Sequence, residues 1–143
     1  MLLENPLNAS SLAFPLLESV HIVAFIAGIG TIALMNFRLL GIGLTTRSSA
    51  QLWRDTLPWT LAALSLVIFS GLLLFSLDPG VYYLNKAFLL KMTALVLAIA
   101  FYYTLVRRTA LRGPALATRT IASISLLLWA AVLSGGVFIG FIG

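Results

Sequence analysis

The sequence contains no cysteine, one histidine and only four acidic side chains among its 143 residues. The absence of cysteine excludes disulfides, thiolate metal sites and iron–sulfur clusters. A single histidine excludes bis-histidine ligation within one chain, and one E-x-x-H motif is too few for a carboxylate-bridged di-iron bundle. The chain is rich instead in apolar residues, with 61% hydrophobic residues, 9% charged residues and a mean hydropathy of +1.08. This composition is typical of a membrane protein.

Four apolar runs are long enough to cross a bilayer as helices, which takes about 20 residues each. They cover residues 14–35, 57–77, 84–106 and 121–142. The runs lack the alternation of membrane strands, and helices satisfy the backbone hydrogen bonds in lipid. We therefore predict an all-α membrane protein in which residues 1–143 form a single domain. Its four transmembrane helices are expected to form an up-down-up-down bundle.

The distribution of basic residues predicts the orientation of this bundle. Seven of the nine basic residues lie in the loops after the first and third runs, namely Arg38, Arg47, Arg54, Arg107, Arg108, Arg112 and Arg119. The positive-inside rule places these loops in the cytoplasm and both termini outside. We assign the net charge of +5 to this topology and not to nucleic-acid binding. The tyrosine pairs 82–83 and 102–103 are interpreted as anchors at the outer and inner interfaces.

Two seams of residues at helical spacing predict which side chains face one another. The first run carries a seam with steps of three and four residues: Glu18, His21, Phe25, Gly28, Ile32 and Met35. The third run carries a seam of small residues and one lysine: Ala87, Lys91, Ala94 and Ala98. In a square bundle these two helices lie diagonally across the axis, and His21 and Lys91 both lie about 10 Å below the outer boundary. We therefore expect their outer ends to meet.

Glu18, His21 and Lys91 form the predicted site. Intramembrane charges cost about 2.5–3.5 kcal/mol at mid-bilayer, so such residues usually have a partner and a function. We predict an ion pair between Glu18 and Lys91 beside the imidazole of His21. One neutral imidazole suffices as an axial haem ligand, so His21 is the candidate metal ligand. A structural role stays open, with both charged side chains reaching the interface and His21 bonding across helices.

Several motifs carry a resemblance to known families. They are P-x-x-E-x-x-H at residues 15–21, R-L-L-G at 38–41, L-P-W at 57–59 and Y-x-N-x-x-F-x-x-K at 83–91. Over nearly its whole length the chain resembles a bacterial four-helix inner-membrane family of unknown function. This resemblance implies a multi-pass protein of the bacterial inner (cytoplasmic) membrane.

A more distant resemblance bears on the cofactor. The histidine of the first run, the basic residue at its inner end and the segment "LLKMTALVL" are similar to the haem-binding membrane protoporphyrinogen oxidases and to the copper-resistance D-type proteins. In the former, a first-span histidine and a third-span lysine are associated with haem b and activity, which implies these roles for His21 and Lys91. Copper handling is poorly supported without cysteine, methionine clusters or further histidines.

The favoured function is binding of haem b or a related tetrapyrrole for electron transfer or oxidation. His21 would be the axial ligand, while Glu18 and Lys91 would tune the charge or contact the propionates. Whether the protein is an enzyme stays open. The alternative is a non-catalytic accessory subunit, docking to partner subunits or to a second copy through the glycine-rich fourth helix with its Gly136-x-x-x-Gly140 motif. A small proton-linked carrier that uses Glu18 is a third hypothesis.

Overall fold

The fold is seen in a computed structural model, which describes residues 6–43, 46–113 and 116–139. Within these ranges the chain is all-α, as predicted, and has four helices long and apolar enough to cross a membrane. These are α1 (Ala13–Leu40), α2 (Ser49–Leu77), α3 (Lys86–Arg112) and α4 (Thr118–Phe138). A 3₁₀ turn at Pro6–Ala9 precedes α1, and a short helix at Pro79–Tyr83 connects α2 to α3.

The four helices follow one another around the bundle in chain order. Helix α1 lies along α2 and also contacts α4, and α3 lies along α4. Helix α2 approaches α3 mainly at residues 107–112 of α3. At one end the hydroxyl of Ser49 donates to the carbonyl of Ala110, and at the other the amide of Asn85 donates to the carbonyl of Ile139. Successive helices are therefore antiparallel, and α1 and α3 are the diagonal pair.

The bundle has two halves, one at each end. The His21 half contains the start of α1 and α3 and the end of α2 and α4, and the arginine half contains the opposite helix ends. The predicted seams face the interior: Gly28, Ile32 and Met35 of α1 are buried, as are Ala87, Ala94 and Ala98 of α3. Glu18 is the exception on the first seam, because it is exposed.

Helix ends differ from the apolar runs because caps, and not hydropathy, determine where helices begin. Helix α2 begins at Ser49 and not at residue 57, because the hydroxyl of Ser48 accepts a hydrogen bond from the amide of Gln51. Helix α3 begins at Lys86, because Asn85 caps it. It continues past residue 106 to Arg112 through a π-helical turn at Tyr102–Val106. The predicted end of the fourth run, up to residue 142, lies outside the described residues.

Aromatic side chains fill the arginine half. Tyr102 packs against Trp53 with ring centroids 4.9 Å apart and against Trp129 at 6.5 Å. Tyr102 is only 1% exposed, so the prediction that it anchors the chain at the interface is wrong. Its ring lies on the inner face of α3, four residues after Ala98, and is therefore part of the core.

Candidate functional site

Three helices each contribute one polar side chain to a cluster in the His21 half. Ser70 of α2 lies 2.8 Å from Nδ1 of His21, measured to its Oγ. Lys91 of α3 approaches the other ring nitrogen, with 3.5 Å between its Nζ and Nε2 of His21. The structure thus brings His21 and Lys91 together across the diagonal of the bundle, and it adds Ser70, which the sequence analysis missed.

The hydrogen bonds of Ser70 assign the tautomer of His21. The Ser70 hydroxyl donates to the backbone carbonyl of Val67 at 3.2 Å. A serine has only one hydroxyl hydrogen, so its oxygen accepts the hydrogen bond from His21. With the Ser70 hydroxyl donating to Val67, Nδ1 carries the proton and Nε2 faces the amine of Lys91 with its lone pair; this tautomer is assigned from the hydrogen bonds.

Glycines make room for this pair on two sides. A Cβ atom at Gly71 would lie 3.2 Å from Cε1 of His21, so α2 passes directly beside the imidazole. A Cβ atom at Gly135 would lie 2.8 Å from the Cβ and 3.0 Å from the Cα of Lys91, so the backbones of α3 and α4 are in close contact there. Gly136 lies beside the amine, with 3.7 Å between its would-be Cβ and Nζ of Lys91. The lysine side chain is thus supported by α4.

These glycines had a weak signal in the sequence. Ser70-Gly71 and Gly135-Gly136 interrupt otherwise bulky apolar runs. Glycine costs helix stability, so a glycine within a helix often marks close approach of another group. Neither pair indicates which neighbour approaches, and the GxxxG pattern of the fourth run predicts close helix packing within or between subunits. In the structure Gly135 faces Lys91, while Gly140 lies outside the described residues.

Glu18 does not join the cluster. Among the described residues the one salt bridge is that of Arg47 and Asp55 at 2.6 Å, so the predicted ion pair of Glu18 and Lys91 is not formed. Glu18 lies one turn before His21, where α1 is exposed, and the amine of Lys91 faces the imidazole instead. The carboxylate is close enough to Tyr82, in the connection between α2 and α3, to affect its pKa.

The pKa of Tyr82 is raised above its ordinary value. Burial of the phenol is the largest cause, and the negative charges of Glu18 and then Asp78 add to it. Tyr82 packs against Phe75 and Phe88, with ring centroids 6.1 and 5.6 Å away. The end of the His21 half, at the connection between α2 and α3, therefore carries an aromatic group with carboxylates beside it.

The donor set limits what the cluster can bind. No group of three or more histidine, cysteine or carboxylate side chains that could hold a metal ion occurs in the described part of the chain. The cluster offers one imidazole nitrogen and one amine, which can share a proton or bind a hydrogen-bonding or anionic group. It could also provide axial nitrogen to a metal that arrives with its own equatorial ligands.

Comparison with known proteins gives a family. Residues 11–142 match the family of unknown function DUF6644. The chain belongs to this family. The match covers α1 to the end of α4 and so includes His21, Ser70 and Lys91. No curated protein and no solved structure matches the chain.

Proposed function

We propose that this member of the DUF6644 family binds haem b or a related tetrapyrrole in the His21 half, for electron transfer or oxidation. The observation that supports the proposal is the position of the His21 ring, whose Nδ1 lies 2.8 Å from Oγ of Ser70 and whose Nε2 faces Lys91. Ligating histidines generally donate their other ring N–H to a fixed partner, which sets the tautomer and the ring orientation. Ser70 supplies this partner.

The donor set supports a tetrapyrrole over a bare metal ion. A tetrapyrrole brings four equatorial nitrogens, so the protein has to supply only one or two axial ligands. One imidazole and one amine meet this requirement, whereas a protein-built zinc site needs three or four ligands. When bound, the group would supply one-electron chemistry, and the residues of this chain would orient it and limit the access of water.

Lys91 has a specific part in this proposal. Its amine occupies the position in front of Nε2, so it and a metal compete for the same lone pair. Binding therefore requires the amine to move away from the imidazole. Once displaced, the amine could pair with a propionate or serve as a second axial nitrogen. Glu18, being exposed, would influence the site only through its charge.

An absorption spectrum of the purified protein tests the proposal. We expect a Soret band after expression with sufficient haem supply or after addition of haem, and we expect His21→Ala to abolish it. Ser70→Ala should weaken haem affinity by about 10–100-fold, as loss of a histidine's outer partner does in metal sites. Ser65→Ala is the matched control, because Ser65 is on the exposed side of the same helix. A folded preparation that stays colourless with added haem would refute the proposal.

We also propose that the protein is a multi-pass protein of the bacterial inner membrane with its arginine loops in the cytoplasm. The positive-inside rule supports this orientation. The lack of cysteine allows a direct test with single-cysteine variants. Leu84→Cys and Leu116→Cys are suitable, because both side chains are exposed and lie at opposite ends of the bundle. An impermeant thiol reagent added to whole spheroplasts should label only the first, and the reverse pattern would contradict the orientation.

The accessory-subunit hypothesis stays a prediction. It was based on the glycines of the fourth helix as a docking surface, and Gly135 is buried against Lys91 within the same chain. This observation gives the glycine a role that needs no partner subunit. The carrier hypothesis likewise stays a prediction, with an exposed Glu18 as its candidate acid.

A further inference from the structure

A second group of polar side chains is buried in the arginine half. Asn36 of α1 and Ser125 of α4 are each 0% exposed, and Trp129 of α4 is 2% exposed. The amide of Asn36 donates to the hydroxyl of Ser125 at 3.0 Å. The carbonyl oxygen of Asn36 and the indole N–H of Trp129 have no hydrogen-bonding partner among the described residues. This group therefore contains one unpaired acceptor and one unpaired donor, and the hydroxyl of Tyr103 is a further buried atom without a partner among the described residues.

Ser125 and Trp129 lie on one face of α4, and Asn36 of α1 lies opposite Ser125. Ser125 and Trp129 are four residues apart on α4, so they lie on one face. Long side chains on a helix lean toward its N-terminus, which brings the indole of Trp129 over the turn that carries Ser125. Asn36 reaches this turn from α1 through its bond to Ser125. Ser125 is therefore bonded to Asn36 and shares a helix face with Trp129.

The apolar neighbourhood makes these unpaired groups costly. Ile32, Met35 and Val132 are buried beside them in the same core cluster and offer no hydrogen bonds. A buried polar group without a partner loses its hydration with no compensation, so such groups in folded proteins nearly always bond to protein or to ordered water. Asn36 and Trp129 therefore require a small partner that can both donate and accept.

We propose that Asn36, Ser125 and Trp129 form an interior binding site for one water molecule. The water would accept from the indole N–H of Trp129 and donate to the carbonyl of Asn36, with Ser125 as its third neighbour. Buried waters typically make about three hydrogen bonds, which is the number this site offers. Turning the Asn36 amide over exchanges its oxygen and nitrogen but still leaves a polar group for water to pair. The assignment therefore does not depend on the amide orientation.

This site is distinct from the haem site and does not rest on it. Asn36 lies fifteen residues after His21 on α1, or about 22 Å along the helix axis. None of its three members contacts His21, Ser70 or Lys91 through a hydrogen bond in the described structure. The two sites can therefore be disrupted one at a time.

Nuclear magnetic resonance of tryptophan-labelled protein in deuterated detergent tests the inference. The indole N–H signal of Trp129 is identified by its loss in Trp129→Phe. We expect a cross-peak between this N–H and long-lived water, and we expect Asn36→Leu to reduce the cross-peak at least fivefold. Ser125→Ala is a second variant that keeps the test available if the leucine variant does not fold. The indole of Trp59, which is 72% exposed on the outer face, is the internal comparison.

Each outcome decides the matter. A water cross-peak that is lost in either variant supports the site. Absence of the cross-peak in the folded wild-type protein overturns the proposal. A cross-peak that persists unchanged in both variants also overturns it, because the water would then be bound by other groups.

Discussion

The two halves of the bundle are built in different ways from the same four helices. In the arginine half, the rings of Trp53, Tyr102 and Trp129 fill the interior by volume. In the His21 half, Gly71 and Gly135 let helices approach polar side chains closely. Packing of large aromatic rings therefore stabilises the arginine half, and close contact between helices stabilises the His21 half. The candidate site lies in the half that is built by close helix approach.

Asn85 links two helices within the His21 half. Its side-chain oxygen caps the start of α3 by accepting from the amides of Ala87 and Phe88. Its amide nitrogen donates to the carbonyl of Ile139 at 2.8 Å, which ties α3 to the end of α4. One side chain thus fixes the helix that carries Lys91 against the helix that carries Gly135.

The largest expected effect concerns the aromatic core. Tyr102→Ala should destabilise the protein by about 3–5 kcal/mol, because it removes a buried ring and leaves a cavity between two tryptophans. Unfolding in detergent by a chemical denaturant measures this loss. The matched control is Tyr83→Ala, since the side chain of Tyr83 is 56% exposed and its removal leaves no cavity. Equal losses in the two variants would show that the arginine half is not held by aromatic packing.

The next effect concerns close approach in the His21 half. Gly135→Ala should destabilise the protein by about 1–3 kcal/mol, because the added methyl group would meet the Cα and Cβ of Lys91 at 3.0 and 2.8 Å. The α3 and α4 backbones would have to separate. The same unfolding experiment measures this, and the haem spectrum would show whether Lys91 is displaced.

Gly30→Ala is the matched control for this variant. Gly30 is also within a helix, but a Cβ atom there would have nothing within 4 Å. The added methyl group should therefore be neutral or stabilising, since alanine favours helix over glycine by about 1 kcal/mol. If Gly135→Ala were as stable as Gly30→Ala, the close approach of α3 and α4 would not be needed for the fold.

Much of this comparison could be predicted from the sequence. Hydropathy gave four helices, and the three-and-four spacing identified the interior faces of α1 and α3, including His21 and Lys91. Their meeting across the diagonal followed from the short connections. These features are predictable because each depends on the periodicity of one helix or on loop length.

The remaining features depend on pairs of helices, which one sequence does not specify. Ser70 is one of several serines in apolar runs, and only the rotation of α2 against α1 makes it the partner of His21. The spacing of the seam predicts Glu18 in the interior, but near the start of α1 most side chains, including Glu18, are exposed. The position of Tyr102 along the third run predicts only its depth near the inner interface. It does not predict that the ring lies on the buried face of α3.

The smallest expected effect concerns the negative charges near Tyr82, at the end of the His21 half. The pKa of Tyr82 is raised from its ordinary value of 10.0, first by burial and then by Glu18 and Asp78. Glu18→Gln removes one negative charge and should lower this pKa without restoring the ordinary value, because burial remains. Asp78→Asn should lower it less. Absorbance of the phenolate during alkaline titration measures the change, and Tyr82→Phe identifies the signal.

The direction of the accompanying stability change follows from the same shift in pKa. Because the folded state disfavours the phenolate, the contribution of Tyr82 is fully present below the ordinary pKa of 10.0 and is lost as the pH rises through the raised value. Glu18→Gln should move this loss to lower pH. Asp55→Asn is the control, since Asp55 pairs with Arg47 in the arginine half and should leave the titration of Tyr82 unchanged. A shift in the pKa of Tyr82 that is as large in Asp55→Asn as in Glu18→Gln would mean that the overall charge of the protein, and not the local charge of Glu18, determines this pKa.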